Sequence, residues 1–280
     1  MAQDAPPEGG MQLKDKVAII TGSSRGVGRF MATEMAREGC HIVVAARSEA
    51  ESDPKLPGTI YSTAEELRAL GVRALPLRTD VTDEESIRSM VQAALDEFGR
   101  IDVLINNAGI MFPGRLWETP LKRWDLVMRV NVRGPVAVCQ AVIPHMIERQ
   151  DGVIINISSI AADQLGAANV SYSVSKQALR KLSEGLAAEV KEQNIRVFSL
   201  SPEGLVITPG TMYHRLDEQV PAGPFVEAPE AMGRAAVYLC GDAAKPLSGQ
   251  HFYSRALLRE HDLWDEPQAP GLSGPAPPRA

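Results

Sequence analysis

The sequence predicts a single doubly wound α/β domain, a seven-stranded parallel sheet with helices on both faces. Three observations carry that prediction. Short apolar runs alternate with longer amphipathic segments, the order that parallel strands joined by crossover helices require. The runs are apolar throughout rather than at every second residue, as strands covered on both faces are. The chain has 280 residues, enough for one full core without disulfide or metal support.

Each element follows in order. Residues 17–21 (Val-Ala-Ile-Ile-Thr) are the first strand, bounded by Asp15-Lys16 and Gly22. A helix runs over 26–38, with Phe30, Met31, Met35 and Ala36 on one face, and Gly39 stops it. Residues 41–46 are the second strand. A connection containing Pro and Gly, 48–61, precedes a helix over 63–70. Its start offers a capping box, Thr63 with Glu66 or Ser62 with Glu65. The third strand is 73–77 and the next helix 83–98. A fourth strand, 102–106, leads into a long helical region over 120–147. The fifth strand is 152–157, the helix after it 170–191, the sixth strand 195–200, and a weaker seventh 249–253. Both ends read as disordered tails, 1–10 and a Pro/Gly-rich 266–280, around a folded body over 11–265.

Bulk features exclude several classes. Lys and Arg number 29 against 35 Asp and Glu, a net charge of −6. Dedicated nucleic-acid binders carry a basic excess instead. Cys40, Cys139 and Cys240 are odd in number and far apart, which is no disulfide framework and fits a reducing, cytoplasmic setting. The five histidines lack metal-ligand spacing, so no metal is expected. No strictly apolar run of about 18 residues suggests a membrane span. The acidic, Pro-containing start is no signal peptide.

Sheets of this kind bind ligands beyond the carboxyl ends of their strands. After the first strand comes Thr21-Gly22-Ser23-Ser24-Arg25-Gly26-Val27-Gly28. Gly22 permits a tight turn, Gly26 lets backbone approach a pyrophosphate, and Gly28 lets helix and sheet pack closely. Such a turn alone is common in ligand-free loops. Its place between a first strand and a helix makes it a dinucleotide site. The second strand ends Ala46-Arg47, with no acid to hold a ribose 2′-hydroxyl. Arg25 and Arg47 suit a 2′-phosphate, so NADP(H) is expected over NAD(H).

After the fifth strand comes Ser158-Ser159, and Tyr172 and Lys176 follow four apart on one helix face. A free tyrosine titrates near 10, and a neighbouring ammonium lowers that by favouring phenolate. The pair would then serve as a general acid or base.

These pieces together resemble the short-chain dehydrogenase/reductase family, its compact single-domain branch with a Rossmann-type fold. The carriers are Thr21-Gly22, Gly26 and Gly28, Asp80-Val81, Asn106-Asn107-Ala108-Gly109, Asn131, Ser159, Tyr172 and Lys176. The resemblance covers about residues 13–253. It implies that Tyr172 donates or accepts the proton at the substrate oxygen and that Ser159 positions the carbonyl. Lys176 would hold the nicotinamide ribose and lower the Tyr172 pKa. Asn131 would hold a water linking Lys176 to solvent. Asp80 and Val81 would contact the adenine, and Asn107, Ala108 and Gly109 would line the ribose. The arginine pair matches the family's NADP-preferring pattern. Relatives pair through their long helices, which implies a homodimer or homotetramer.

The sequence departs from the pattern in three places. The turn after the sixth strand reads Ser201-Pro202-Glu203-Gly204-Leu205-Val206-Ile207-Thr208, one residue longer than the family's. Counting back from Thr208 gives Val206 the carboxamide contact. The seventh strand lacks the usual Asp-Gly-Gly ending. The 48–61 connection is long and resembles the hydroxysteroid dehydrogenase-like subgroup. Residues 209–228 should form a lid over the substrate. Trp117, Trp124 and Trp264 are expected in the core or an interface. The function this implies is hydride transfer between NADP(H) and a small-molecule carbonyl or secondary alcohol. Two alternatives stay open: a catalytically silent dinucleotide-binding sensor or scaffold, and an NAD-dependent alcohol dehydrogenase.

Overall fold

The structure, a computed structural model, describes residues 11–51, 53–163, 169–214 and 226–264. The two expected tails and most of the expected lid, 215–225, lie outside the described residues.

Strands β1 (Val17–Thr21), β2 (His41–Ala46), β3 (Ala74–Arg78), β4 (Val103–Asn106), β5 (Gly152–Ile157) and β6 (Ile195–Ser201) join a late strand, β9 (His251–Tyr253). They form one seven-stranded sheet in the order β3-β2-β1-β4-β5-β6-β9. Every pairing in it is parallel. A two-residue pair, β7 (Leu205–Val206) with β8 (Val226–Glu227), forms a separate ribbon.

Alternate residues of a strand face opposite ways, and here both faces are dry. Ala18 and Ile20 of β1 belong to one core, Val17 and Ile19 to the other. The first core lies under α1 (Gly26–Arg37), α2 (Ile60–Ala69), α8 (Pro229–Cys240) and α9 (Ser254–Glu260). The second lies under α3 (Glu84–Phe98), α5 (Gly134–Arg149) and α6 (Val170–Glu189). The chain reverses its direction of winding between β1 and β4, and the ligand crevice of such sheets opens there.

Four expectations change. Helix α2 begins at Ile60, not Thr63, because Ile60 is buried and fills the core. Its capping box is Thr59 with Ser62, at 3.0 and 2.9 Å. The long helix over 120–147 is interrupted. A π-helical turn, Arg129–Arg133, separates α4 (Leu121–Met128) from α5. Helix α8 was not anticipated, although Pro229 at its first turn and apolar positions 231, 232, 235, 236 and 239 mark it. Trp117 is 77% exposed and belongs to no core, whereas Trp264 packs half-buried on the first one.

The continuous stretch Leu121–Arg149 is long and apolar enough, by length and composition, to cross a membrane. Its buried residues Val130, Val138, Cys139, Val142 and Met146 instead belong to the second core.

Candidate active site

The β1–α1 turn begins at Gly22. Its φ of 69° is left-handed, and a Cβ there would stand 2.9 Å from the Ala108 main chain. Only glycine suits both conditions. Gly28 lets the start of α1 pack closely on the exits of β1 and β4. A Cβ there would strike the Asn107 amide and come within 2.6 Å of the Gly22 carbonyl. That amide donates to Thr21 O at 2.8 Å and Gly22 O at 3.2 Å. The Thr21 hydroxyl in turn accepts from Asn107 N at 3.0 Å and Ala108 N at 3.1 Å. The exits of β1 and β4 are thereby stapled together at the switch point.

This turn fits a pyrophosphate. Arg25 stands at the N-cap of α1 in extended conformation, and no side chain caps the helix. The first-turn N–H groups and the positive helix end are left for an anion. Ser23 and Ser24 are buried within the turn, with Ser23 Oγ donating to Ile20 O at 2.7 Å. Val27 packs on the first core. Thr208 lies over Gly26, 3.6 Å from where a Cβ would be, and caps α7 (Pro209–Tyr213). Val206 is buried and paired in the β7–β8 ribbon.

Arg47 follows β2, whereas Arg25 stands in the glycine turn and is partly engaged. It donates to Pro57 O at 3.1 Å and Gly58 O at 2.8 Å. The 48–61 connection therefore folds onto the glycine turn. Arg47 is exposed, and Arg78 lies level with Ala46 on β3. Burial acts to raise the Asp80 carboxyl. Two bonds from Thr82, at 2.9 and 2.8 Å, together with Arg47 and Arg78, outweigh it and hold the group below its ordinary value. Val81 is buried, its carbonyl and its side chain both packing against Gly134.

At the mouth of β5, α6 brings Tyr172 and Lys176 to Ser159. Lys176 is 3% exposed, and its ammonium donates to Ile157 O at 2.7 Å. The same ammonium lies 5.4 Å from the centre of the Tyr172 ring. Burial pushes Lys176 down to about 8. Burial also raises Tyr172, against a lowering hydrogen bond with Ser159. The expected net lowering of Tyr172 by Lys176 is thus reversed, because removing the phenolate from water outweighs the stabilisation around it. Gly109 passes close by, 3.5 Å (as an added Cβ) from both Asn131 Oδ1 and Lys176 Nζ.

Asn131 sits in the π-helical turn and is buried. The extra residue of such a turn reorients a side chain. Asn131 accepts from Ile110 N and donates to Ile110 O, both at 2.9 Å, and donates to Ser175 Oγ at 3.0 Å. Ser175 Oγ donates to Tyr172 O at 2.7 Å. Asn131 therefore braces the first turns of α6 through its side chain.

Sequence reasoning placed Thr21 in the glycine turn without its stapling role and missed Ser175 and Glu227. Glu227 is buried, and Oε2 accepts from Glu203 N at 2.6 Å and Gly204 N at 3.1 Å. It anchors the elongated turn after β6. A lone Glu before a helix carries no signal of that.

Fold and site define an α/β protein that can hold a dinucleotide against a half-buried proton-transfer group. Comparison with known proteins narrows this. The model of the short chain dehydrogenase family matches residues 16–219. A putative dehydrogenase from Xanthomonas campestris superposes with a TM-score of 0.81 at 32% identity, covering 91% of this chain and 92% of its own. The hydroxysteroid dehydrogenase-like protein 2 of Bos taurus is 40% identical over 199 residues, 70% of this chain and 47% of that protein. Its Xenopus tropicalis counterpart is 34% identical over 253 residues, 88% of this chain and 58% of that protein. The chain spans about half the length of these two curated relatives. The protein belongs to the short-chain dehydrogenase family, whose members are oxidoreductases using a nicotinamide dinucleotide.

Proposed function

We propose that the protein is an NADP(H)-dependent carbonyl reductase, running in reverse as a secondary-alcohol dehydrogenase. The observation that carries this reading is the half-buried Tyr172, bonded to Ser159 with the buried Lys176 ammonium beside its ring. The dinucleotide, when bound, supplies or removes the hydride. Tyr172 donates its phenolic proton to the substrate oxygen in reduction and recovers it in oxidation. Burial favours the protonated phenol, the form that donates. Ser159 Oγ holds the same oxygen as negative charge develops on it. The cation behind the ring stabilises the phenolate left after transfer. Gly22 to Gly28 seat the pyrophosphate, Asn107 to Gly109 the ribose, and Val206 with Thr208 the carboxamide.

NADP(H) is supported by the exposed Arg47 after β2, with Arg25 in the glycine turn and Arg78, which pairs with Glu49 at 3.3 Å, on neighbouring elements. Positions 46–48 hold no carboxylate. Three buried thiols, with Cys139 and Cys240 pushed up to about 12 by burial, suit a reducing cytoplasm. Pairing into dimers or tetramers belongs to the same proposal. Helices α4 and α6 expose Leu121, Leu126, Val170 and Val174, and light scattering tests it.

The deciding assay is NADPH oxidation against a panel of ketones and aldehydes. Wild type should turn over at least one. Tyr172→Phe should lose about 10²- to 10⁴-fold, the usual worth of a general acid, while still binding NADPH. No turnover by wild type, or full turnover by the variant, overturns the reading.

A further inference from the structure

Helix α6 carries Tyr172, Lys176 and then Arg180, each one step of four residues along a single face. The Arg180 side chain is 12% exposed. Its guanidinium reaches four groups on two other elements. Nε donates to Ser158 Oγ at 3.3 Å, and Nη2 donates to Ser159 O at 3.1 Å. Nη2 also donates to Tyr253 Oη at 3.3 Å, and Nη1 pairs with Asp163. Tyr253 Oη donates to the other oxygen of Asp163. Ser158 Oγ donates to the Lys176 carbonyl at 2.9 Å.

The arrangement spans strands that are not neighbours. Ser158, Ser159 and Asp163 follow β5, and Tyr253 ends β9, with β6 between them. Past the bond from Ser158 N to Leu200 O, the loop's backbone bonds among the described residues are its own. They are Ala162 N to Ser159 O and Asp163 N to Ile160 O. Beyond the bonds of Ser158 Oγ to the Lys176 carbonyl and of Ser159 to Tyr172, Arg180 and Tyr253 therefore supply the polar side-chain ties from this short turn to the body of the domain. A planar fork with several fixed donors can make such ties at once, whereas an ammonium cannot.

We propose that Arg180, clamped by Asp163 and Tyr253, is a positioning residue that holds Ser159 in register with Tyr172. The inference rests on the carbonyl-reductase reading for its catalytic consequence and on the hydrogen bonds alone for its geometric one. Small misplacements of a catalytic group cost up to about 100-fold in rate.

The test uses Arg180→Gln, Arg180→Lys and the milder Tyr253→Phe, in wild type and in a Ser159→Ala background. Arg180→Gln should lower kcat by about 10- to 100-fold and leave the Kd for NADPH within about twofold. Arg180→Lys should fail to restore kcat. Tyr253→Phe should lower it less. In the Ser159→Ala background, Arg180→Gln should cost little more, because its effect acts through that hydroxyl. An equal loss in both backgrounds, rescue by Lys, or a wild-type kcat would overturn the assignment. Hydrogen exchange over 158–163 gives an answer that needs no turnover. Arg180→Gln should deprotect that segment, and unchanged protection refutes the clamp. Absence of any wild-type turnover would count against the reaction instead, leaving the clamp to be judged by exchange.

Discussion

Removing the Lys176 ammonium should change how stability depends on pH, with a sign that follows from its burial. The side chain is 3% exposed, its bond is to the Ile157 carbonyl, and it has no carboxylate within ion-pair distance among the described residues. Burial lowers it from 10.5 to about 8. At 1.36 kcal/mol per unit, the difference corresponds to about 3 kcal/mol. The unfolded chain keeps this proton until its ordinary value, while the folded chain releases it near 8. Between those values the unfolded state binds more protons, so stability rises with pH. Below pH 8 both states are protonated and the full penalty applies. Lys176→Met abolishes the penalty but orphans a buried carbonyl, at a cost of about 1–3 kcal/mol. That cost does not vary with pH, since a neutral lysine still donates. Urea denaturation of both proteins without dinucleotide, at pH 7, 8, 9 and 10, separates the two effects. Wild type should gain on the variant by about 2–3 kcal/mol between pH 7 and 10. A difference that stays flat, or falls, would refute the buried-ammonium argument.

Four other substitutions have expected outcomes. Gly28→Ala must displace the Asn107 amide or the Gly22 carbonyl, costing about 1–3 kcal/mol and weakening NADPH binding. Gly185→Ala, on the same scale of change, meets nothing within 4 Å on α6 and should stabilise by about 0.5–1 kcal/mol; thermal melts and NADPH titrations compare the pair. Arg47→Asp should weaken NADPH at least about tenfold and leave NADH little changed, read by fluorescence titration. Asp102→Ala removes a buried carboxylate that accepts from Val17 N at 2.9 Å and faces Lys16, Arg100 and Arg149. Its loss should lower the unfolding free energy by about 3 kcal/mol, measured by urea titration.

Much of the fold was legible because its signals are local. An apolar run such as Val-Ala-Ile-Ile-Thr, closed by a glycine, states a buried strand without reference to any partner. Helix α8 shows the opposite error. Its Pro229 start and its apolar spacing were equally local, yet they followed an irregular stretch and drew no assignment. The capping box of α2 lies three or four residues before the two the sequence offers, because several Ser, Thr and Glu side chains could serve. Burial of Ile60 decided among them.

By itself the sequence determined the strand–helix alternation, the glycine turn after β1, and the spacing that sets Tyr172 and Lys176 on one face. Each depends on residues a few positions apart, whose geometry the backbone periodicity dictates. Only the tertiary structure decided which way Tyr172 titrates, since that turns on how much water the folded site excludes. Only it turned Asn131 inward through a π-helical turn, set Glu227 under the 203–204 turn, and brought Arg180, Asp163 and Tyr253 together. Those contacts join residues tens of positions apart, and no local pattern encodes the side-chain distance between two strand ends.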